Sequence, residues 1–141
     1  VFASCSVDRS LRVWDTRAPP KKACMVTVSA AHDQDINVIS WNTREPFLVS
    51  GGDEGAIKVW DLRELDKSRP VAVFGHHSAA ITTVEWHPSE GTVFAAGGAD
   101  DQVTLWDLAV EREGGAEEEE VEGVPPQLLF VHQGQQNIKE L

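Results

Sequence analysis

The sequence predicts an all-β fold built from one repeated unit of short strands. Three observations carry this. The segments LRVWD, IKVWD and VTLWD end at Asp15, Asp61 and Asp107, so their Trp residues stand at 14, 60 and 106, a pitch of 46 residues both times. A fixed period of this size marks a repeat architecture. Short apolar runs alternate with Gly- and Asp-rich turns such as GGDEG (51–55), which has the chemistry of a tight hairpin. Helical periodicity is weak throughout.

The elements follow in order. The middle unit has strands near 36–41, 46–51, 56–61 and 70–75. The next has 81–86, 93–98, 102–107 and 127–132. The opening unit shows only 2–6, 11–15 and 24–29, without a first strand, and NIKEL (137–141) reads as the first strand of a following unit. Upstream of each Trp, FASCSVD, FLVSGGDE and VFAAGGADD hold equivalent places, and INVISW (36–41) matches ITTVEW (81–86).

Length and composition bound the function. The 141 residues are the size of one ordinary domain, and 41% apolar residues suffice for a packed core. No apolar run approaches the roughly 20 residues that span a bilayer. The net charge of −11 repels phosphates and anionic lipid, so direct nucleic-acid or membrane binding is not expected, and basic proteins are the partners it points to. Cys5 and Cys24 lack metal spacing and do not make a disulfide framework, which fits a reducing compartment. They fall on strands separated by a third, about 9–10 Å apart at the usual strand spacing. That is too far for a disulfide, so both are expected to be free, largely buried thiols. The five His form no zinc pattern, and no nucleophile elbow, P-loop or H-E-x-x-H motif occurs. Neither an enzyme nor a cofactor is expected.

Four strands per unit, this pitch and the Trp-Asp ending resemble the WD-repeat family, over nearly the whole chain. The resemblance implies a β-propeller fragment: two complete four-stranded blades (30–75 and 76–132), a partial blade before them (1–29) and the first strand of another (133–141). It implies a continuation in both directions to a closed ring, and self-association or misfolding of the isolated segment. In family blades the buried Trp N–H is satisfied through a Ser or Thr, a His and an Asp, and the Asp after the Trp caps the strand. Carried over, the structural network is Ser4, Asp8 and Trp14; His32, Ser50, Glu54 and Trp60; and His77, Asp100 and Trp106. Glu54 replaces the family's Asp. Ala96 stands where the third unit should have Ser, so that network is expected to be broken or bridged by water.

Two stretches bear on partners. From the Asp of Trp-Asp to the next blade's His the chain advances 17, 16 and 25 positions, and the excess falls on an acidic insertion (109–126). Glu111 to Glu122 holds seven Glu and one Arg, and Pro125-Pro126 follow. The run is a solvated insertion or an electrostatic trap for a basic client. The acidic run with PPQLLFVHQG, and the endings SWN (40–42) and EWHP (85–88), resemble the histone-binding WD-repeat proteins, above all their glutamate-rich ribosome-assembly branch. That implies a nuclear or nucleolar chaperone of histones and a large-subunit ribosomal protein, with Glu117, Glu118, Glu119, Glu120 and Glu122 as client-binding residues. W-D-x-R at 14–17 and 60–63 resembles substrate receptors of a cullin-based ubiquitin ligase, which implies an adaptor contact at Arg17 and Arg63. An exposed Arg paired with a nearby acid accounts for the same pattern, and a general interaction scaffold is a third reading.

Overall fold

A computed structural model describes residues 1–110 and 124–141. These residues form eleven strands in three antiparallel sheets, with no α-helix among them. The first sheet holds β1 (Phe2–Cys5), β2 (Leu11–Trp14) and β3 (Cys24–Val28), in that order. The second holds β4 (Ile36–Trp41), β5 (Phe47–Gly52), β6 (Ile57–Asp61) and β7 (Ala72–Phe74). The third holds β8 (Ile81–Trp86), β9 (Val93–Gly98), β10 (Gln102–Asp107) and β11 (Leu128–Gln133). Each sheet is a meander of neighbouring strands, which the short turns require.

The sheets pack face to face through two apolar layers. Between the first and second lie Leu11, Val28, Ile36, Leu48, Trp60 and Leu65. Between the second and third lie Val49, Val59, Phe74, Val84, Phe94 and Trp106. Each buried Trp thus faces the sheet before its own. Trp106 stacks on Phe74 of the preceding sheet, with ring centroids 4.4 Å apart. Glycines on the second strands allow the close approach. A Cβ on Gly51 would lie 2.4 Å from Ile81 Cγ2, and one on Gly97 would lie 2.8 Å from Ile138 Cγ2.

Four details differ from the sequence expectation. The strand expected at 70–75 is only Ala72–Phe74, because Pro70 has no N–H for the ladder and Gly75 has no side chain to pack. Single 3-10 turns, Pro20–Lys22 and Leu65–Lys67, occupy the loops after β2 and β6. Residues 137–141 form no strand, although Ile138 is buried over Gly97 and its carbonyl accepts from Thr82 Oγ1 at 2.7 Å. Asn37 Nδ2 makes the same contact one sheet earlier, with the Ile81 carbonyl at 3.3 Å. Finally, both thiols are free, but Cys24 is exposed and Cys5 only half-buried. β1 and β3 flank β2 as expected, but Cys24 begins an edge strand beside an irregularity in the ladder, where little covers it.

Candidate functional site

The polar interior comes first, because its atoms could be mistaken for catalytic ones. In the second sheet, Trp60 Nε1 donates to Ser50 Oγ at 2.9 Å. His32 Nε2 lies 2.7 Å from the same oxygen, and His32 Nδ1 lies 2.5 Å from Glu54 Oε1. A carboxylate only accepts, so Nδ1 carries the ring proton and Nε2 accepts from the Ser50 hydroxyl. The longer Glu side chain therefore closes the link that an Asp makes elsewhere. Burial pushes the His32 pKa down, against the upward pull of Glu54, so the ring is held neutral.

In the third sheet, His77 Nδ1 pairs with Asp100 Oδ1 at 2.9 Å, and Ser78 N–H donates to Asp100 Oδ2 at 3.0 Å. Burial alone would raise the Asp100 pKa, but the bonds from His77 and Ser78 outweigh it and lower it. The network is not broken at Ala96. Thr104 Oγ1 receives Trp106 Nε1 at 2.8 Å and stands 2.9 Å from His77 Nε2. Thr104 is the direct cross-strand partner of Ala96, as Lys58 is of Ser50. The hydroxyl has moved from one strand to the next and still reaches the same point. The available signal was a Thr two residues before the Trp, where the other units have Arg12 and Lys58. In the first sheet Trp14 Nε1 donates to Ser4 Oγ at 2.9 Å, while Asp8 accepts from the N–H and hydroxyl of Ser10.

Ser50–His32–Glu54 and Thr104–His77–Asp100 have the connectivity of a hydrolase triad. Burial decides against that use. Ser50 and Thr104 have no exposed surface, and each hydroxyl already accepts a Trp N–H. No acyl group can reach them, so these groups serve the packing of Trp60 and Trp106.

The Asp of each Trp-Asp pair also repeats. Asp15, Asp61 and Asp107 each accept, through Oδ1, the N–H two residues on, at 3.0, 2.9 and 2.9 Å. This closes the turn that follows the Trp-bearing strand. In the first two sheets the N–H belongs to Arg17 and Arg63, whose guanidinium groups fold back onto the same carboxylates. Arg17 Nη2 is 2.8 Å from Asp15 Oδ2, and Arg63 Nη2 is 2.7 Å from Asp61 Oδ2. These bonds lower both Asp pKa values, that of Asp15 well below the carboxylate range. The Arg side chains remain 81% and 69% exposed. Both therefore present the same rigid fork to solvent, and Ala109 replaces it in the third sheet.

Glu117, Glu118, Glu119, Glu120 and Glu122 lie outside the described residues. Among the described residues no group of three His, Cys, Asp or Glu could hold a metal, and no helix is long and apolar enough to cross a membrane.

Comparison with known proteins places these features in a family. The family model described as WD domain, G-beta repeat, matches residues 1–15, 23–61 and 68–107. The chain is 47% identical to the ribosome assembly protein rrb1 of Schizosaccharomyces pombe, across 100% of the chain and 31% of that protein. It is 43% identical to the protein HEAT STRESS TOLERANT DWD 1 of Arabidopsis thaliana, across 100% of the chain and 32% of that protein. It is 31% identical to the histone-binding protein MSI1 of Saccharomyces cerevisiae, across 79% of the chain and 26% of that protein. The chain thus spans about a third or less of the length of these relatives. Among solved structures, a chain of the mitotic checkpoint complex superposes with a TM-score of 0.68 at 27% identity, over 76% of this chain and 32% of that one. Three phased Trp-Asp units, each with its Trp buried or half-buried and tied to a hydroxyl, and the matched repeat model make this chain a member of the WD-repeat family, folded as part of a β-propeller.

Proposed function

We propose that the protein is a non-enzymatic scaffold that binds and chaperones basic nuclear proteins, namely histones and a large-subunit ribosomal protein, in ribosome biogenesis and chromatin. Its place is then the nucleus and nucleolus. The observation that carries this reading is the run Glu111 to Glu122, net −6, set directly before PPQLLFVHQG. Clustered like charge repels itself unless a cationic partner relieves it, and it speeds encounter with positive surfaces. The similarity of the whole of this chain to about a third of a ribosome assembly protein, and the similarity to a histone-binding protein, support the same client class. Glu117, Glu118, Glu119, Glu120 and Glu122 are the proposed contacts. The test measures binding of a histone or ribosomal-protein segment to the full-length protein at two salt concentrations. The four-fold Glu→Gln variant at 117–120 should bind several-fold more weakly, with a smaller salt dependence. Equal affinity for both proteins removes the run from the site.

A second reading rests on Arg17 and Arg63. The two are held in the same pose on successive blades and left exposed, as a contact to an adaptor of a cullin-based ubiquitin ligase requires. Co-purification of that adaptor, lost on Arg17→Ala or Arg63→Ala, tests it. The two readings are compatible, since they use different residues.

A further inference from the structure

The excess of carboxylates is not uniform. Residues 1–30 carry five Arg and Lys against two Asp, in a chain whose net charge is −11. The cations Lys21 and Lys22 stand at the start of β3, and Arg69 stands just before β7. Among the described residues, none of the three side chains has a hydrogen-bond or ion-pair partner, whereas Arg12, Arg17, Arg63 and Lys67 are all paired with carboxylates.

Beside these cations lies exposed apolar surface. Val71 and Val73 are 52% and 55% exposed, and Met25 is 58% exposed. Strand alternation sets their direction. Ala72 and Phe74 pack into the layer shared with the third sheet, so Val71 and Val73 turn toward the first. Leu65, in the 3-10 turn between β6 and β7, is buried in the layer that includes Val26 and Val28 of β3. It seats the turn before β7 against β3 and leaves the two valines exposed. Met25 and Val71 hold equivalent places. Each directly precedes the residue paired with the one before Trp, since Val26 pairs with Val13 and Ala72 with Val59. Among the described residues, no strand pairs with the outer edges of β3 and β7.

We infer that the rim where the first and second sheets meet is a docking surface for an acidic, extended segment of a partner protein that alternates carboxylates with apolar residues. The cations Lys21, Lys22 and Arg69 select its charge. Val71, Val73 and Met25 take its apolar face, and an open strand edge offers main-chain hydrogen bonds. Charge complementarity decides the occupant, because a basic client is repelled by three cations that have no partner among the described residues. This surface is separate from the acidic run and attracts the opposite class of partner.

The probe is a short fluorescent peptide of alternating Glu and Leu, titrated into the full-length protein. An extended chain of this kind presents its Leu on one face. Oligoglutamate of equal length should bind more weakly. The Lys21→Gln/Lys22→Gln/Arg69→Gln variant should bind the peptide about tenfold more weakly, the loss of three exposed ion pairs. Val73→Lys should lose affinity while keeping every cation. All four side chains are exposed, so the variants should melt like the parent. The Glu→Gln variant at 117–120 should keep peptide binding. Unchanged affinity in the triple variant overturns the site, and equal affinity for oligoglutamate overturns the apolar component. Displacement of the peptide by single-stranded RNA that needs the same three cations overturns the assignment to a protein partner.

Discussion

Thr104 stands directly across the ladder from Ala96 and carries the hydroxyl that Ala96 lacks. In the neighbouring sheet the same cross-strand pair reads Ser50 and Lys58, with the hydroxyl on the other strand. The interior therefore demands one hydroxyl between Trp and His and accepts it from either side. Thr104→Val leaves Trp106 N–H and His77 Nε2 without their shared partner, both in a buried setting. We expect a loss of about 1–3 kcal/mol of stability. Ala96→Ser added to that variant should recover much of it, since the second position supplies the same oxygen in the other sheet. Denaturant melts of the two single variants and the double variant measure the coupling. Simple additivity of the two changes would show that the positions are not equivalent.

Stability should fall with acid in two stages. The pKa of His32 is lowered on folding, by burial first. Its contribution is complete above the ordinary His value of about 6.5 and is lost as pH falls through the lowered folded value. The pKa of Asp100 is also lowered, against its own burial, by His77 and Ser78. Its contribution is complete above about 3.9, the ordinary Asp value, and is lost below that. Melting temperature followed from pH 7 downward should therefore begin to drop below about 6.5, and His32→Gln should remove that first drop. A flat profile across this range would contradict the buried neutral ring.

Gly51 is required for contact between the sheets. A methyl group there meets Ile81 Cγ2 and Cβ, both in a filled layer. Gly51→Ala should destabilise by about 1–3 kcal/mol, the usual cost of overpacking. Ile81→Val removes a different carbon and should relieve little of it, whereas Ile81→Ala frees Cγ2 and should partly suppress the effect, read from the melting midpoint of each variant.

The two thiols should differ in reactivity. Cys24 is exposed, while Cys5 is half-buried and its pKa is raised by burial. Iodoacetamide at neutral pH should label Cys24 first and Cys5 slowly, since the thiolate is the reacting form. Mass mapping of the labelled peptides checks the order. A Cys5–Cys24 disulfide in the purified protein would overturn the strand order of the first sheet.

The even phase of Trp14, Trp60 and Trp106 was enough to predict the sheets, because short strands and tight turns are written locally and repeat with the pitch. The pairing of His32 with Ser50 and of His77 with Asp100 followed from the resemblance to WD-repeat blades, with Ser50 ten residues before Trp60 and Asp100 six before Trp106. The hydroxyl of Thr104 was not readable, because linear offsets carry no information about which residues face each other across a ladder. The surface of Cys24 escaped the same way. Alternation along β3 says nothing of the irregular register beside it, and a thiol at the start of an edge strand depends on neighbours distant in sequence. The acidic run was legible as charge alone. By itself, then, the sequence determined the repeat, the strand order within each sheet and the sign of the charge, all of which are short-range properties of the chain. Only the tertiary structure decided which hydroxyl serves which Trp, which thiol meets solvent and where unpaired cations border apolar surface, because those depend on register and on which faces the packing of one sheet against the next leaves uncovered.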